Sequence, residues 1–166
     1  MLENFDVINF LPDTDVVTEV SCDHLFLGSG TEISIAIPVN SIELGLVFHP
    51  DIFGLTPLVD DTIFQIAARG VPTIAVDPFT KIEKDGKLSR EDKIQRVNEM
   101  SDIEQCADLL AAAQILRTKH GCKKVALLGF CIGGMYAFKS AGVGLFDAVV
   151  SCYGMITLPE PWKSES

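Results

Sequence analysis

Leu128-Gly129-Phe130-Cys131-Ile132-Gly133-Gly134 is the most informative segment of the chain. An apolar run, 125–129, leads into it, and residues 131–141 that follow are predicted to be helical. The sequence therefore predicts a sharp turn from a buried strand into a helix, with Cys131 at the turn. The glycines two residues to either side of Cys131 leave room for the strand and the helix to approach each other closely.

This turn has the form Gly-x-nucleophile-x-Gly, which is typical of a nucleophile elbow. An elbow holds its nucleophile in a strained backbone conformation above the carboxyl edge of a parallel sheet. The amide of Ile132, at the helix N-terminus, is then able to stabilise a developing oxyanion. A buried structural cysteine in a glycine-rich turn is the alternative interpretation. A dinucleotide-binding loop fits less well, because Cys131 stands where G-x-G-x-x-G has its second glycine.

Strands and helices alternate before this turn. Strands are predicted over 42–49 and 73–76, and a helix capped by Thr56 begins at Pro57 and ends at Gly70. Such alternation implies right-handed βαβ units and a mostly parallel sheet with helices on both faces.

Two further helix starts are predicted at Ser89 and Ser101, since each precedes an acidic residue at capping-box spacing. Gly121 is the predicted end of the second of these helices. A turn is expected at Asp85-Gly86, and a final strand over 146–152.

The N-terminal part of the sequence predicts a β-hairpin that precedes the parallel strands. Its strands are 17–27 and 33–38, and they flank the turn residues 28–31. Residues 1–17 carry little pattern and are expected to form an arm.

Composition excludes several classes of protein. The formal net charge is -10, so nucleic acid and anionic membranes are not expected partners. No signal peptide or transmembrane run is recognisable. The five cysteines are odd in number and lack a CxxC pair, which favours free thiols in a reducing cytoplasm over a disulfide framework or a zinc site. No cofactor or metal is expected.

Three segments carry a resemblance to a known family, namely 46–55 (LVFHPDIFGL), 68–79 (ARGVPTIAVDPF) and 129–134 (GFCIGG). Together with residues 148–154, they are similar in order and spacing to the dienelactone hydrolase family. The resemblance covers roughly residues 30–155 and implies an α/β-hydrolase fold. The activity that it implies is hydrolysis of lactones and related esters through a Cys-His-Asp triad.

The resemblance also implies roles for individual residues. Cys131 would be the nucleophile. Asp51 falls where the family usually has a glutamate that contacts the resting thiol, and it is one methylene shorter, with a loop or cap carboxylate as the alternative. Ile52 would provide a second oxyanion amide through its backbone. Lys81 falls near a family arginine that binds the substrate carboxylate, with an ordinary solvated lysine as the alternative. Tyr153 falls near a pocket tyrosine, with packing at a strand end as the alternative.

The base is missing from the predicted site. In this fold the chain order is nucleophile, acid, histidine, whereas His24, His49 and His120 all precede Cys131. Among them His49 is of most interest, because it ends a strand two residues before Asp51, with a surface or strand-end histidine as the alternative. The sequence therefore predicts one incomplete α/β-hydrolase domain over 1–166. The last strands of this domain would be missing, and its uncovered sheet edge would invite self-association.

Three functions are compatible with the sequence. The first is a cysteine hydrolase acting on a small ester or lactone, with little turnover by this chain alone. The second is a pseudoenzyme or small-molecule-binding module that has lost the histidine. The third is a redox thiol protein, which needs a resolving cysteine such as Cys152 beside Cys131. The sequence downstream of Ser166 separates the first two.

Overall fold

The computed structural model describes residues 17–83, 88–142 and 144–154. The predicted arm and the predicted Asp85-Gly86 turn therefore lie outside the described residues, apart from residue 17. The strands are β1 (Val20–Phe26), β2 (Glu32–Pro38), β3 (Leu44–His49), β4 (Thr73–Val76), β5 (Lys124–Phe130) and β6 (Ala148–Cys152). The helices are α1 (Pro57–Ala67), α2 (Arg90–Arg96), α3 (Asp102–Lys119) and α4 (Ile132–Ala141), with a 3-10 turn at Val97–Glu99.

The strands form one six-stranded sheet in the order β1-β2-β4-β3-β5-β6. Strands β4, β3, β5 and β6 run parallel. The N-terminal hairpin belongs to the same sheet, because β2 pairs with β4 in an antiparallel register. The predicted α/β-hydrolase-type arrangement is confirmed.

Each predicted helix start is confirmed by its cap. The side chains of Thr56, Ser89 and Ser101 each accept a hydrogen bond from the amide three residues later. These bonds satisfy amides that have no partner inside the helix. None of the helices in the described ranges combines the length and apolar character needed to cross a bilayer.

Helices cover both faces of the sheet, because successive strand residues point to opposite sides. Val47 and Leu127 face the larger core, which α3 and α4 close. Phe48 and Leu128, one residue further along each strand, face the smaller core against α1. The central strands are therefore apolar on both sides, as expected for a parallel sheet.

A buried carboxylate fastens the hairpin turn to α3. Asp108 is 2% exposed and accepts hydrogen bonds of 2.6 Å from the hydroxyls of Ser29 and Thr31. Its remaining partner is the ammonium group of Lys81, 3.0 Å away. Because a buried charge needs such partners, the hairpin, the segment after β4 and α3 are held together at this point.

Strand β6 lies at the edge of the sheet. Val150 on this strand and Phe138 on α4, which packs against it, are about half exposed. Self-association through this edge stays a prediction.

An imidazole on β1 lies between two carboxylates. The Nδ1 atom of His24 is 3.0 Å from Glu32, and its Nε2 atom is 3.2 Å from Asp60 at the start of α1. The hydrogen bond with Glu32 and the charge of Asp60 raise the pKa of His24 above its ordinary 6.5. The two carboxylates therefore favour the protonated imidazolium, which in that form links the hairpin to α1.

We expect this contact to stabilise the fold at low pH. A raised folded pKa means that the stabilisation is fully present below pH 6.5 and is lost as pH rises through the folded value. His24→Gln should lower the free energy of unfolding below pH 6.5, and its deficit should shrink above the folded pKa. Urea unfolding of both proteins across this range measures the difference. A deficit independent of pH would contradict the assignment.

Candidate active site

Cys131 occupies a strained junction between β5 and α4. Its backbone lies at φ 55° and ψ -112°, in the left-handed half of conformational space that non-glycine residues avoid. Such a residue costs about 1–3 kcal/mol and persists only where its surroundings fix it. Here the Cys131 amide donates to the Cys152 carbonyl (3.0 Å), and the Cys131 carbonyl accepts from the Met135 amide (3.1 Å).

The glycines of the elbow mark places where backbone packs on backbone. A Cβ atom on Gly133 would lie 2.1 Å from the carbonyl oxygen of His49, and one on Gly129 would lie 2.1 Å from the carbonyl oxygen of Gly133. No side chain fits in either place. The first turn of α4 therefore lies directly against the end of β3, next to the loop that follows it.

The loop after β3 is closed by hydrogen bonds from its own residues. The carboxylate of Asp51 accepts a hydrogen bond from the Phe53 amide (2.9 Å), and the main-chain carbonyl of Asp51 accepts one from the Gly54 amide (3.0 Å). Among the described residues, the Asp51 carboxylate forms no hydrogen bond with the thiol of Cys131. The carboxylate instead caps its own loop, since aspartate side chains commonly accept a hydrogen bond from the amide two residues later.

Two backbone amides near the elbow have no acceptor within the described ranges. One belongs to Ile52, which lies in the chain between Asp51 and the two residues whose amides bond to Asp51. The other belongs to Ile132, the first residue of α4, where Cys131 provides no side-chain cap. Free amides at a helix N-terminus and in a tight loop are donors suited to a developing negative charge.

Tyr153 lies beside the turn that carries Cys131. Its ring packs edge-on against Phe130, the residue before Cys131, with the centroids 5.8 Å apart. Burial raises the pKa of Tyr153, and the charges of Asp51 and Cys131 raise it further. The structure therefore places this tyrosine next to the nucleophile candidate.

Lys81 is engaged elsewhere. Its ammonium group lies 3.0 Å from the buried Asp108 and 3.7 Å from Glu104, both on α3. The lysine is neither an ordinary solvated side chain nor a free cation for a substrate carboxylate. Asp108 occupies it because that carboxylate is buried and needs a counter-charge.

His49 is a core residue. Its side chain is fully buried and stacks on Tyr136 of α4, with ring centroids 5.3 Å apart. The Nδ1 atom is 3.2 Å from the Pro50 carbonyl, and Nε2 is 3.4 Å from the Gln105 side-chain oxygen. Burial lowers the pKa of His49 to about 4, so the imidazole is neutral at physiological pH.

None of the three histidines is placed to act as a base for Cys131. His24 is paired on β1, and His120 caps the C-terminus of α3. His49 directs both ring nitrogens towards groups other than the thiol.

Sequence reasoning missed a buried ion pair beside the loop. The side chains of Lys93 and Glu83 lie 2.9 Å apart and are 9% and 12% exposed. Lys93 belongs to a short helix of mostly charged residues (REDKIQR). Such composition is typical of a solvated helix, so the sequence carries no signal for this burial.

Comparison with known proteins places these features in context. The sequence model of the dienelactone hydrolase family matches residues 32–165. A candidate dienelactone hydrolase from Klebsiella pneumoniae has a similar structure, with a TM-score of 0.70 and 19% identity over 85% of this chain and 62% of that one. No curated protein matches the chain.

Two other solved structures are similar. One is a dienelactone hydrolase-like promiscuous phosphotriesterase from metagenomic libraries, with a TM-score of 0.62 and 21% identity over 81% of this chain and 59% of that one. The other is a dienelactone hydrolase from Anabaena variabilis, with a TM-score of 0.51 and 15% identity over 77% of this chain and 59% of that one. These likenesses show the fold. This chain spans about three-fifths of the length of each of the three structures.

Gly133→Ala tests the close packing of α4 on β3. We expect it to destabilise the fold by about 4 kcal/mol or more, because the added methyl group meets backbone that cannot rotate away. Gly142→Ala is the matched control, since a Cβ there meets nothing within 4 Å. Urea unfolding of both variants measures the effect. Similar stability in the two would contradict the packing.

The burial of His49 predicts a second pH effect, opposite in sign to that of His24. With a folded pKa of about 4 against 6.5 unfolded, its stabilisation is present above pH 6.5 and is lost as pH falls towards 4. The expected loss is about 3 kcal/mol. Urea unfolding of His49→Gln should show a flatter pH dependence over this interval. Parallel curves for variant and wild type would contradict the prediction.

Proposed function

Because the chain belongs to the dienelactone hydrolase family, we propose that it is the nucleophile-bearing part of a hydrolase that cleaves small esters or lactones. Cys131 is the proposed nucleophile. One observation carries this proposal: the half-buried Cys131 thiol is held on a strained elbow beside two amides, of Ile52 and Ile132, that lack acceptors within the described residues. This combination suits attack on a carbonyl group better than it suits a structural cysteine.

The proposed acylation step uses these groups together. The thiolate sulfur of Cys131 attacks the carbonyl carbon, and the electron pair of the carbonyl bond moves onto its oxygen. The amides of Ile52 and Ile132 stabilise that oxyanion. The intermediate then collapses, so that the carbon–oxygen bond to the leaving group breaks and the alkoxide departs with its electron pair. Water later hydrolyses the thioester, which releases the acid and restores the thiol.

Asp51 and Tyr153 have supporting roles in this proposal. Asp51 shapes the loop that presents the Ile52 amide, through its bond to the Phe53 amide. The phenol of Tyr153 forms part of the wall facing the substrate. Lys81 receives no substrate role, because Asp108 and Glu104 hold its ammonium group.

The proposed reaction also needs a base, and none of the three histidines of this chain is placed to supply one. Elbow hydrolases have their acid and histidine after the nucleophile, and the solved relatives extend well beyond the share that this chain matches. We therefore propose that full turnover requires such a segment, and that this chain alone performs the acylation step slowly. A reducing cytoplasm, where thiols stay free, suits the proposed nucleophile.

Acylation by 4-nitrophenyl acetate tests the nucleophile. We expect release of about one equivalent of 4-nitrophenolate per chain and a single acetyl group on the peptide that contains Cys131. Cys131→Ala should abolish both. Cys22→Ala is the matched control, because Cys22 is an exposed thiol on β1. Acetylation spread over several cysteines, or unchanged in Cys131→Ala, would rule out the proposed nucleophile.

A non-catalytic binding module is the second candidate, and the positions of the three histidines favour it. It predicts that a small lactone or carboxylate binds while Cys131 stays unmodified by the activated ester. A chain extended through a downstream acid and histidine separates the two functions. Turnover by the extended chain that is lost on Cys131→Ala would support the hydrolase.

A further inference from the structure

We propose that Lys93 is a positioning residue that holds the Asp51–Gly54 loop in the conformation that presents the Ile52 amide to the oxyanion. The inference rests on the proposed function, since it concerns the same attack on a carbonyl. This inference gives a role to the buried Lys93–Glu83 ion pair, which takes no part in the proposed reaction.

Lys93 is buried although it carries a charge. Its ammonium group is 2.9 Å from the carboxylate of Glu83 and 4.5 Å from the centre of the Phe79 ring. Phe79 is itself fully buried. Removing a lysine from water is costly, and a buried ion pair contributes little net stability compared with apolar residues of the same size. The energetics of folding therefore do not account for a lysine here.

The ammonium group reaches the active-site loop. Its Nζ atom donates to the carbonyl oxygen of Phe53 over 3.3 Å. On the other side of the same residue, the Phe53 amide donates to the Asp51 carboxylate over 2.9 Å. The two peptide groups that flank Phe53 are therefore held by two different side chains, which fixes the backbone directly after Ile52.

The loop also lies tightly on this cluster. Gly54 has φ +69°, and a Cβ there would be 2.7 Å from the carboxylate of Asp77 and 3.6 Å from the Lys93 ammonium group. Asp77 is 6% exposed and accepts from the Thr80 hydroxyl over 2.7 Å. Gly54 therefore packs closely on this buried cluster, and Lys93 is the member of the cluster that donates a hydrogen bond to the loop.

One amide of the loop stays open as a result. The amides of Phe53 and Gly54 both donate to Asp51, while that of Ile52 has no acceptor among the described residues. Oxyanion donors act only when they are preorganised, and displacement by a fraction of an ångström weakens them. Releasing the Phe53 carbonyl should therefore impair acylation of Cys131 without altering the thiol itself.

The test compares two reactions of the same sulfur. Acetylation by 4-nitrophenyl acetate passes through an oxyanion, whereas alkylation by iodoacetamide displaces iodide from a saturated carbon and needs no oxyanion donor. In Lys93→Met we expect acetylation of Cys131 to slow by about 10-fold or more, with alkylation unchanged within about 2-fold. Lys93→Arg keeps the charge and a donor, so it should restore most of the rate.

A matched control and a second measurement keep the inference distinct from the proposed function. Lys119→Met removes an exposed lysine from α3 and should change neither rate. Amide hydrogen exchange at Phe53 and Gly54 should be about 10-fold faster in Lys93→Met, with protection elsewhere unchanged. A Lys93→Met/Glu83→Gln double variant, which leaves no unpaired buried charge, replaces Lys93→Met if the latter does not fold.

Normal acetylation and normal loop exchange in a folded Lys93→Met variant would overturn the role of Lys93, as would equal slowing of acetylation and alkylation. Absence of acetylation at Cys131 in the wild-type chain would instead overturn the proposed function. Loop exchange then still decides whether Lys93 holds the loop.

Discussion

The contact between the first turn of α4 and the end of β3 is the constraint on which the site depends. At this contact the backbone of Gly133 faces the carbonyl of His49 with no room for a side chain between them. Two features follow from it. Cys131 is forced into its unusual backbone conformation, and the loop after β3 is brought next to the free end of α4. The candidate nucleophile and both candidate oxyanion amides are therefore positioned by one packing event between main chains.

Much of the fold could be predicted because its signals are local. Serine and threonine caps mark the helix starts within three residues, and apolar runs bounded by turn residues mark the strands. The helix over Pro57–Ala67 and the strand over Thr73–Val76 follow from such patterns. The hairpin joins the same sheet because β2 pairs with β4. These strands are distant in the chain, so local sequence patterns do not predict their pairing.

The sequence predicts the parts of the site that a local backbone motif defines. It predicts less well the side chains whose position depends on partners distant in the chain. The Gly-x-Cys-x-Gly spacing is typical of a sharp turn from a strand into a helix, so the elbow at Cys131 could be inferred directly. The partner of Lys81 is a carboxylate 27 residues further along the chain, and that of Phe53 is a lysine 40 residues away. Neither pairing has a sequence signature, since lysines in polar segments are usually solvated. The interior position of His49 depends in the same way on Tyr136 and Gln105.

The carboxylate of Asp108 has a consequence for the order in which the protein is made. Its two hydroxyl partners lie 77 and 79 residues earlier in the chain. At ribosomal speeds of about 5–20 residues per second, the hairpin turn waits roughly 4–15 s before its anchor on α3 has been synthesised. During that interval the hydroxyl groups of Ser29 and Thr31 lack the carboxylate that accepts from them in the folded protein. Final docking of the hairpin therefore has to wait until α3, with Asp108, has been synthesised.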